Sequence, residues 1–434
     1  MDYIMDSLSV NEEGHLAMSG CDLVDIANEY GTPAYVLDEA TVRRNCRAYV
    51  DSVKEYYDGN GLAIYASKAL SCKYMYKIVN DEGMGVDVVS GGEIYAALSA
   101  GFPAEKIYFH GNNKLPDEIR YALENKIGRI MVDNDLELAR VDKIAGELKT
   151  VANVILRITP GIDASTHKFI MTGQIDSKFG AIIETGEANA LVKQAVNCKN
   201  IHICGFHCHI GSQIFELAPF ELAATKMMEF IAKVKSKYGV ITDELDLGGG
   251  FGVKYTQHDK PIDYGSYMKA ISSIIKDKAK QFKLKLPFVI VEPGRSIVAE
   301  AGLTLYTVGT VKEIPEIRTY VSIDGGMSDN PRYILYQAEY TAVSVNNAKA
   351  PRNRIYTIAG KCCESGDLIG ENMHMSKVAP DDIIAILSTG AYNYSMSSNY
   401  NRIPRPPVVV VSEGKTFLAV RRETYEDMLN CDMY

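Results

Sequence analysis

A chain of 434 residues, 47% hydrophobic and 23% charged, has ample material for a globular core and is longer than one compact domain usually needs. The formal net charge is -9 with acidic and basic residues mixed along the chain, so no basic stripe is available to replace phosphate counterions, which argues against a nucleic-acid partner. No run of about 18 apolar residues is available for a membrane span.

The chain opens with the acidic Met-Asp-Tyr-Ile-Met-Asp, which has neither the basic nor the apolar region of a secretory signal. Nine scattered cysteines form no CxxC pair and no zinc-ligand spacing, so they read as reduced thiols of a cytoplasmic protein, and no metal is expected. Residues 1–36, which run into the β-rich piece Pro33–Leu37, are expected to pack on a later β domain.

Eight short apolar or β-branched runs follow: Leu62–Ala66, Met84–Val89, Lys106–Phe109, Arg129–Val132, Asn153–Ile158, His202–Cys208, Glu244–Leu247 and Phe288–Val291. Stretches with helical spacing, such as Glu221–Tyr238 and Tyr264–Gln281, separate most of them. This alternation predicts an α/β fold, a (β/α)8 TIM-like barrel over residues 37–294. From Arg295 the texture changes. Val298–Val311, Thr319–Ile323, Ile355–Ala359, Asp382–Leu387, Val408–Ser412 and Lys415–Val420 read as strands with few helical periods between them, which predicts an all-β domain over residues 295–434.

Each of the eight runs is followed by polar or glycine residues: Ser67-Lys68, Ser90 to Glu93, His110 to Asn112, Asp133-Asn134, Thr159 to Gly161, His209 to Gln213, Gly248 to Gly252, and Glu292 to Arg295. In such barrels these positions converge on one mouth. Any single one is what a βα turn or helix cap needs anyway; eight in succession point to a site.

Lys68 follows a strand between small residues, and desolvation there would lower its pKa as a Schiff-base lysine requires. A lysine at a strand end is also commonly a plain surface residue. The glycines 248–252 would let backbone N–H groups approach an anion such as phosphate, but no Lys-Ser/Thr follows to make a nucleotide loop. Glu292 could be a general base, the partner of Arg295 in an ion pair, or the acceptor for the ring N–H of a pyridine. His207 and His209 lack a third residue to bind metal; one suits stacking on an aromatic cofactor, and packing is the plainer role for His207.

The motifs run in the order Tyr65-Ala-Ser-Lys-Ala69, His209-Ile-Gly-Ser-Gln213, Gly248-Gly-Gly-Phe-Gly252, Glu292-Pro-Gly-Arg295, Asp324-Gly-Gly-Met-Ser-Asp-Asn-Pro-Arg332, Cys363-Glu-Ser-Gly-Asp367 and Gly390-Ala-Tyr392. Together they resemble the barrel-fold (type III, alanine-racemase-like) PLP-dependent decarboxylases, most closely the diaminopimelate decarboxylases. The likeness runs from about residue 30 to Arg421–Tyr425.

The resemblance implies pyridoxal 5'-phosphate as cofactor. It implies that Lys68 carries the cofactor, that His209 stacks on the ring and that Glu292 pairs with the pyridine nitrogen. Ser212, Gly250, Gly294 and Tyr392 would surround the phosphate, and Asp87 would lie near Lys68. Cys363, from a second subunit of a homodimer, would return the proton. Arg295, Arg332, Tyr336 and Tyr392 would bind a substrate carboxylate and Glu364 the distal ammonium, making meso-2,6-diaminopimelate the substrate and L-lysine the product, the final step of lysine biosynthesis. The departures are Tyr333, where proline is usual, and Cys362, which doubles the cysteine. The rivals are decarboxylases of arginine, ornithine or carboxynorspermidine, and a non-catalytic regulator of the same fold. Alanine racemase pairs its pyridine with arginine, which Glu292 argues against.

Overall fold

The structure, a computed structural model, describes residues 3–162 and 177–434; Met1 and Asp2 of the acidic opening lie outside them. Cys46–Gly252 and Lys260–Gly294 form one unit, and Met1–Asn45, Val253–Asp259 and Arg295–Tyr434 the other. The excursion Val253–Asp259 has no counterpart in the expected division at 36/37 and 294/295.

The first unit is a closed parallel barrel. Its strands are β1 (Gly61–Ala66), β2 (Gly85–Val88), β3 (Ile107–Phe109), β4 (Arg129–Val132), β5 (Ala152–Thr159), β6 (Ile201–His207), β7 (Glu244–Asp246) and β8 (Phe288–Val291). Each pairs with the next, and β8 returns to β1. The eight runs read from the sequence coincide with these strands to within one residue at each end. Strands buried on both faces need continuous apolar runs such as Phe288-Val-Ile-Val291, which is why the runs were legible.

Ile64, Tyr108, Met131, Ile155, Cys204 and Ile290, from six of the strands, form one buried core cluster. Truncating such a residue to alanine typically costs about 2–5 kcal/mol. The interior is therefore packed, and chemistry is left to the strand ends. At two of those ends the plainer reading holds: Ser90 caps helix Gly91–Ser99 and Asn134 caps helix Asp135–Glu147.

After β3 the chain is pinned by a buried ion pair. Lys114 Nζ donates to Gly111 O at 2.7 Å, Met131 O at 2.5 Å and Glu137 Oε1 at 2.8 Å. Removing the carboxylate would strand a buried ammonium between carbonyls. Glu137→Leu is therefore expected to lower stability by about 3–5 kcal/mol. Urea unfolding of the two proteins measures it, and a loss under 1 kcal/mol would contradict the argument (about the size of a surface pair).

The second unit is built on the long strand Gly302–Ile314. It pairs antiparallel with Ala34–Asp38, Arg318–Ile323 and Ile383–Ile386. Ala34–Asp38 in turn pairs in parallel with Val408–Ser412, so a strand from before the barrel lies inside this sheet. Val36, Leu303, Leu305, Ala385, Leu387, Val409 and Val411 share its core.

The expected strand from Val298 is corrected. Arg295–Val298 curls into one helical turn, with Ala299 N–H donating to Arg295 O at 2.8 Å, and the strand starts at Gly302. Gly302 is needed there because a Cβ would sit 2.6 Å from Gly390 Cα. The strands Leu368–Met375 and Ala342–Ser344 were not anticipated. No helix among the described residues is long and apolar enough to cross a membrane.

Candidate active site

At the C-terminal ends of the barrel strands, Lys68 stands in the turn Ser67–Ala69 just after β1. Its neighbours Ser67 and Ala69 are buried, but Lys68 itself is exposed, so the expectation of a desolvated lysine is not what the chain presents. Its charge still acts on Asp87, Glu93 and His209.

Asp87, in β2, is buried, and burial raises its pKa against the pull of His110. His110 follows β3, with Nε2 3.9 Å from Asp87 Oδ1 and 2.9 Å from Glu292 Oε1. His207 ends β6 with Nε2 3.6 Å from the same Glu292 oxygen. It is buried as a packing residue would be, yet it belongs to the polar centre. Burial drives its pKa down to about 4, so it is neutral at pH 7.

Glu292, just after β8, is also buried. Burial alone would raise its pKa, but His110 and His207 outweigh that and hold it well below the usual carboxylate range. Arg157, in β5, is buried with its guanidinium 4.2 Å from the centre of the Phe179 ring, and burial lowers its pKa. The sequence reading placed His110 among the strand-end residues without giving it a role, and Arg157 and Asp246 escaped it as site residues.

His209 is half-buried and accepts the Gly249 N–H on Nδ1 at 3.2 Å. Burial, and then the charge of Lys68, push its pKa well down. A neutral imidazole fixed in this way presents a flat face suited to stacking. Ser212, half-buried, lies in the following loop.

The glycine cluster serves close backbone approach. A Cβ on Gly249 would lie 2.1 Å from Glu292 O, and one on Gly250 (φ 111°) 2.4 Å from Gly211 O. Ile214 N–H donates to Gly250 O at 2.9 Å across that contact. Gly294 is equally confined, its Cβ position 2.8 Å from Ala66 Cβ. Only glycine lets these loops meet around the strand ends.

Asp87 Oδ1, His110 Nε2, both His207 nitrogens, Asp246 Oδ2 and Glu292 Oε1 are buried without an aligned hydrogen bond. An unsatisfied buried polar atom costs about 1–3 kcal/mol, so this concentration marks a place built to meet a ligand. An ionised carboxylate at the bottom and a flat neutral imidazole fit a heteroaromatic cofactor with a ring N–H, as pyridoxal phosphate has.

The second unit holds its own cluster. Arg295 Nη1 donates to Tyr255 OH at 2.5 Å, and its guanidinium lies 4.8 Å from the centre of the Tyr392 ring. Arg332 donates to Tyr340 OH at 2.6 Å and lies 4.9 Å from the same Tyr255 ring. Both arginines are buried, and Tyr255 stands against both. Tyr336 ends the short helix that begins at Arg332 and is half-buried. Tyr333, the departure from proline, gives its hydroxyl to Glu371 Oε2 at 2.7 Å, so it is accommodated by a specific partner.

In the loop of paired cysteines, Cys363 is exposed and its N–H is held by Asn401 Oδ1 at 2.8 Å. Cys362 is buried, and burial and then Asp367 raise its thiol pKa. The Asp367 carboxylate accepts the N–H groups of Cys362 at 2.7 Å and Met327 at 2.6 Å, which fixes the loop. Glu364 is exposed beside Cys363.

Residues 39–299 match the family described as "Pyridoxal-dependent decarboxylase, pyridoxal binding domain". The diaminopimelate decarboxylase of Bacillus subtilis (strain 168) is 46% identical over 426 residues, covering 98% of this chain and 96% of its own. That of Staphylococcus aureus (strain COL) is 44% identical and covers 98% of this chain and 99% of its own. The crystal structure of diaminopimelate decarboxylase from M. jannaschii in co-complex with L-lysine superposes with a TM-score of 0.93 at 35% identity, over 100% of this chain and 99% of that one. Through both its barrel residues and these full-length likenesses, the chain belongs to the diaminopimelate decarboxylase family of PLP-dependent enzymes.

Proposed function

We propose that this enzyme decarboxylates meso-2,6-diaminopimelate to L-lysine and CO2, the last step of lysine biosynthesis. The observation that carries the substrate choice is the pair of buried guanidiniums, Arg295 and Arg332, packed on the single Tyr255 ring. Two such cations suit a substrate that retains a carboxylate after reaction, because the planar fork binds carboxylates in pairs of charge-assisted hydrogen bonds. Ornithine has no second carboxylate, and its distal ammonium would meet like charge.

Bound PLP supplies an electron sink for the bond to the departing carboxylate. The chain's own residues hold and aim. Lys68 would hold the cofactor covalently, and Asp87 would neutralise charge beside it. Glu292 would accept the ring N–H, and His209 would lie on the ring face. Ser212, Gly250, Gly294 and Tyr392 would bind the phosphate. Arg295, Arg332, Tyr336 and Tyr392 would hold the carboxylate that stays, and Glu364 the distal ammonium. The Cys363 thiol would deliver a proton to the α-carbon. We assign cofactor binding to residues 37–294 and carboxylate recognition to residues 295–434.

Exposure of Cys363 and Glu364 on one loop supports a homodimer in which that loop serves the partner's site. Nine free cysteines support a cytoplasmic setting. The test is CO2 release by the PLP-loaded protein from meso-diaminopimelate, L-lysine, L-ornithine and L-arginine in parallel. Diaminopimelate alone should turn over; release from ornithine or arginine instead would keep the cofactor and overturn the assignment of Arg295, Arg332 and Glu364.

A further inference from the structure

Glu292 is surrounded by more polar groups than acceptance of one ring N–H requires. His110 and His207 approach the same oxygen, Oε1, at 2.9 Å and 3.6 Å. Their rings meet edge to face, 5.0 Å between centres and 83° apart in plane. On the β7 side Asp246 is fully buried; its Oδ1 accepts the Gly248 N–H at 2.9 Å, and its carboxyl group faces Glu292. Asp87 and Arg157 close the circle from β2 and β5, and Lys68 from the turn after β1.

Two carboxyl groups side by side in a dry pit do not both ionise. The imidazoles decide between them. With His110 and His207 against it, Glu292 is held well below the usual carboxylate range, while burial and then Glu292 push Asp246 well above it. His207 is neutral, and at 3.6 Å its ring meets the carboxylate as a dipole beside it, without an aligned hydrogen bond.

His110, His207 and Glu292 also offer three ligand atoms within 4.8 Å of one another. A metal is the poorer reading of that trio. The 2.9 Å between His110 Nε2 and Glu292 Oε1 is shorter than the about 3.3 Å that separates two ligands of a tetrahedral zinc.

We propose that His110 and His207 are positioning residues that hold and orient the Glu292 carboxylate as acceptor for the cofactor's ring N–H. The proposal rests on the assignment of PLP to this barrel and of Glu292 to its ring nitrogen. Neither histidine touches substrate in this scheme; each acts through Glu292.

The test is the 15N chemical shift of PLP labelled at the ring nitrogen, read in the loaded protein, with PLP affinity measured by fluorescence titration. Wild type should show a protonated ring nitrogen and Glu292→Gln an unprotonated one. His110→Leu and His207→Leu should move the shift toward the Glu292→Gln limit and weaken PLP by about tenfold or more, the scale of one hydrogen bond to a charged group. His110→Gln and His207→Gln, which keep an N–H donor, should recover most of the wild-type shift.

Leucine variants that bind PLP with the wild-type 15N shift would overturn the proposal. If a leucine variant does not fold, His→Asn at the same position shortens the donor's reach and gives the same comparison. A wild type with an unprotonated ring nitrogen, or one that binds no PLP, would overturn the assignment of Glu292 itself.

Discussion

The Lys68→Ala protein is expected to release no measurable CO2 and to lack the visible absorbance of lysine-bound PLP. The loss should exceed the ~10²–10⁴-fold typical of removing one proton-transfer group, because attachment, exchange with the substrate amine and product release all need this amine. The turn that carries Lys68 is compatible with that proposed role. Ser67 and Ala69 are buried on either side, and the amine stands exposed at the end of β1. Its charge bears on Asp87, Glu93 and His209, so a purely electrostatic role is the rival to exclude. Lys68→Arg separates the two, since it keeps the charge but forms no stable bond to the aldehyde carbon. Turnover recovered by arginine would refute the covalent role, and an absorbance band retained in Lys68→Ala would move the attachment elsewhere.

The barrel was legible because a strand buried on both faces must be written as a short apolar run, and each run here ends in turn-forming residues. Leu368–Met375 shows where that logic stops. It carries Gly370, Glu371 and Asn372 (φ 54°), and it pairs with Arg354–Ala359 through shifts of register, so no alternation marks it. Lys68, His209, Glu292 and Cys363 stood out because each sits in a distinctive motif. His110, Arg157, His207 and Asp246 did not. They come from β3, β5, β6 and β7, and each looks locally like a strand or turn residue; only barrel closure brings them to one carboxylate. Tyr255 was hidden for a related reason. It follows the glycines after β7, yet Val253–Asp259 folds with the second unit, where its ring meets Arg295 and Arg332.

For the doubled cysteine, Cys363→Ala is expected to lose about 10²–10⁴-fold in turnover while binding PLP and substrate as wild type does. Cys362→Ala should be felt in folding stability instead. Its buried side chain would be truncated next to Asp367, while the backbone N–H that anchors the loop on Asp367 stays in place. Cys363 is exposed, with its backbone held by Asn401, which is how a proton donor for another subunit should be displayed. Subunit mixing tests both the acid and its origin. If the Cys363 of one protomer serves the Lys68 of the other, equal amounts of inactive Lys68→Ala and weakly active Cys363→Ala protein, reassociated, should recover about a quarter of wild-type activity. Half of the dimers would then be mixed, each with one intact site. Activity that stays at the average of the two parents, in a preparation shown to exchange subunits, would mean that each chain completes its own site. Near wild-type turnover in Cys363→Ala alone would give the final proton to another group.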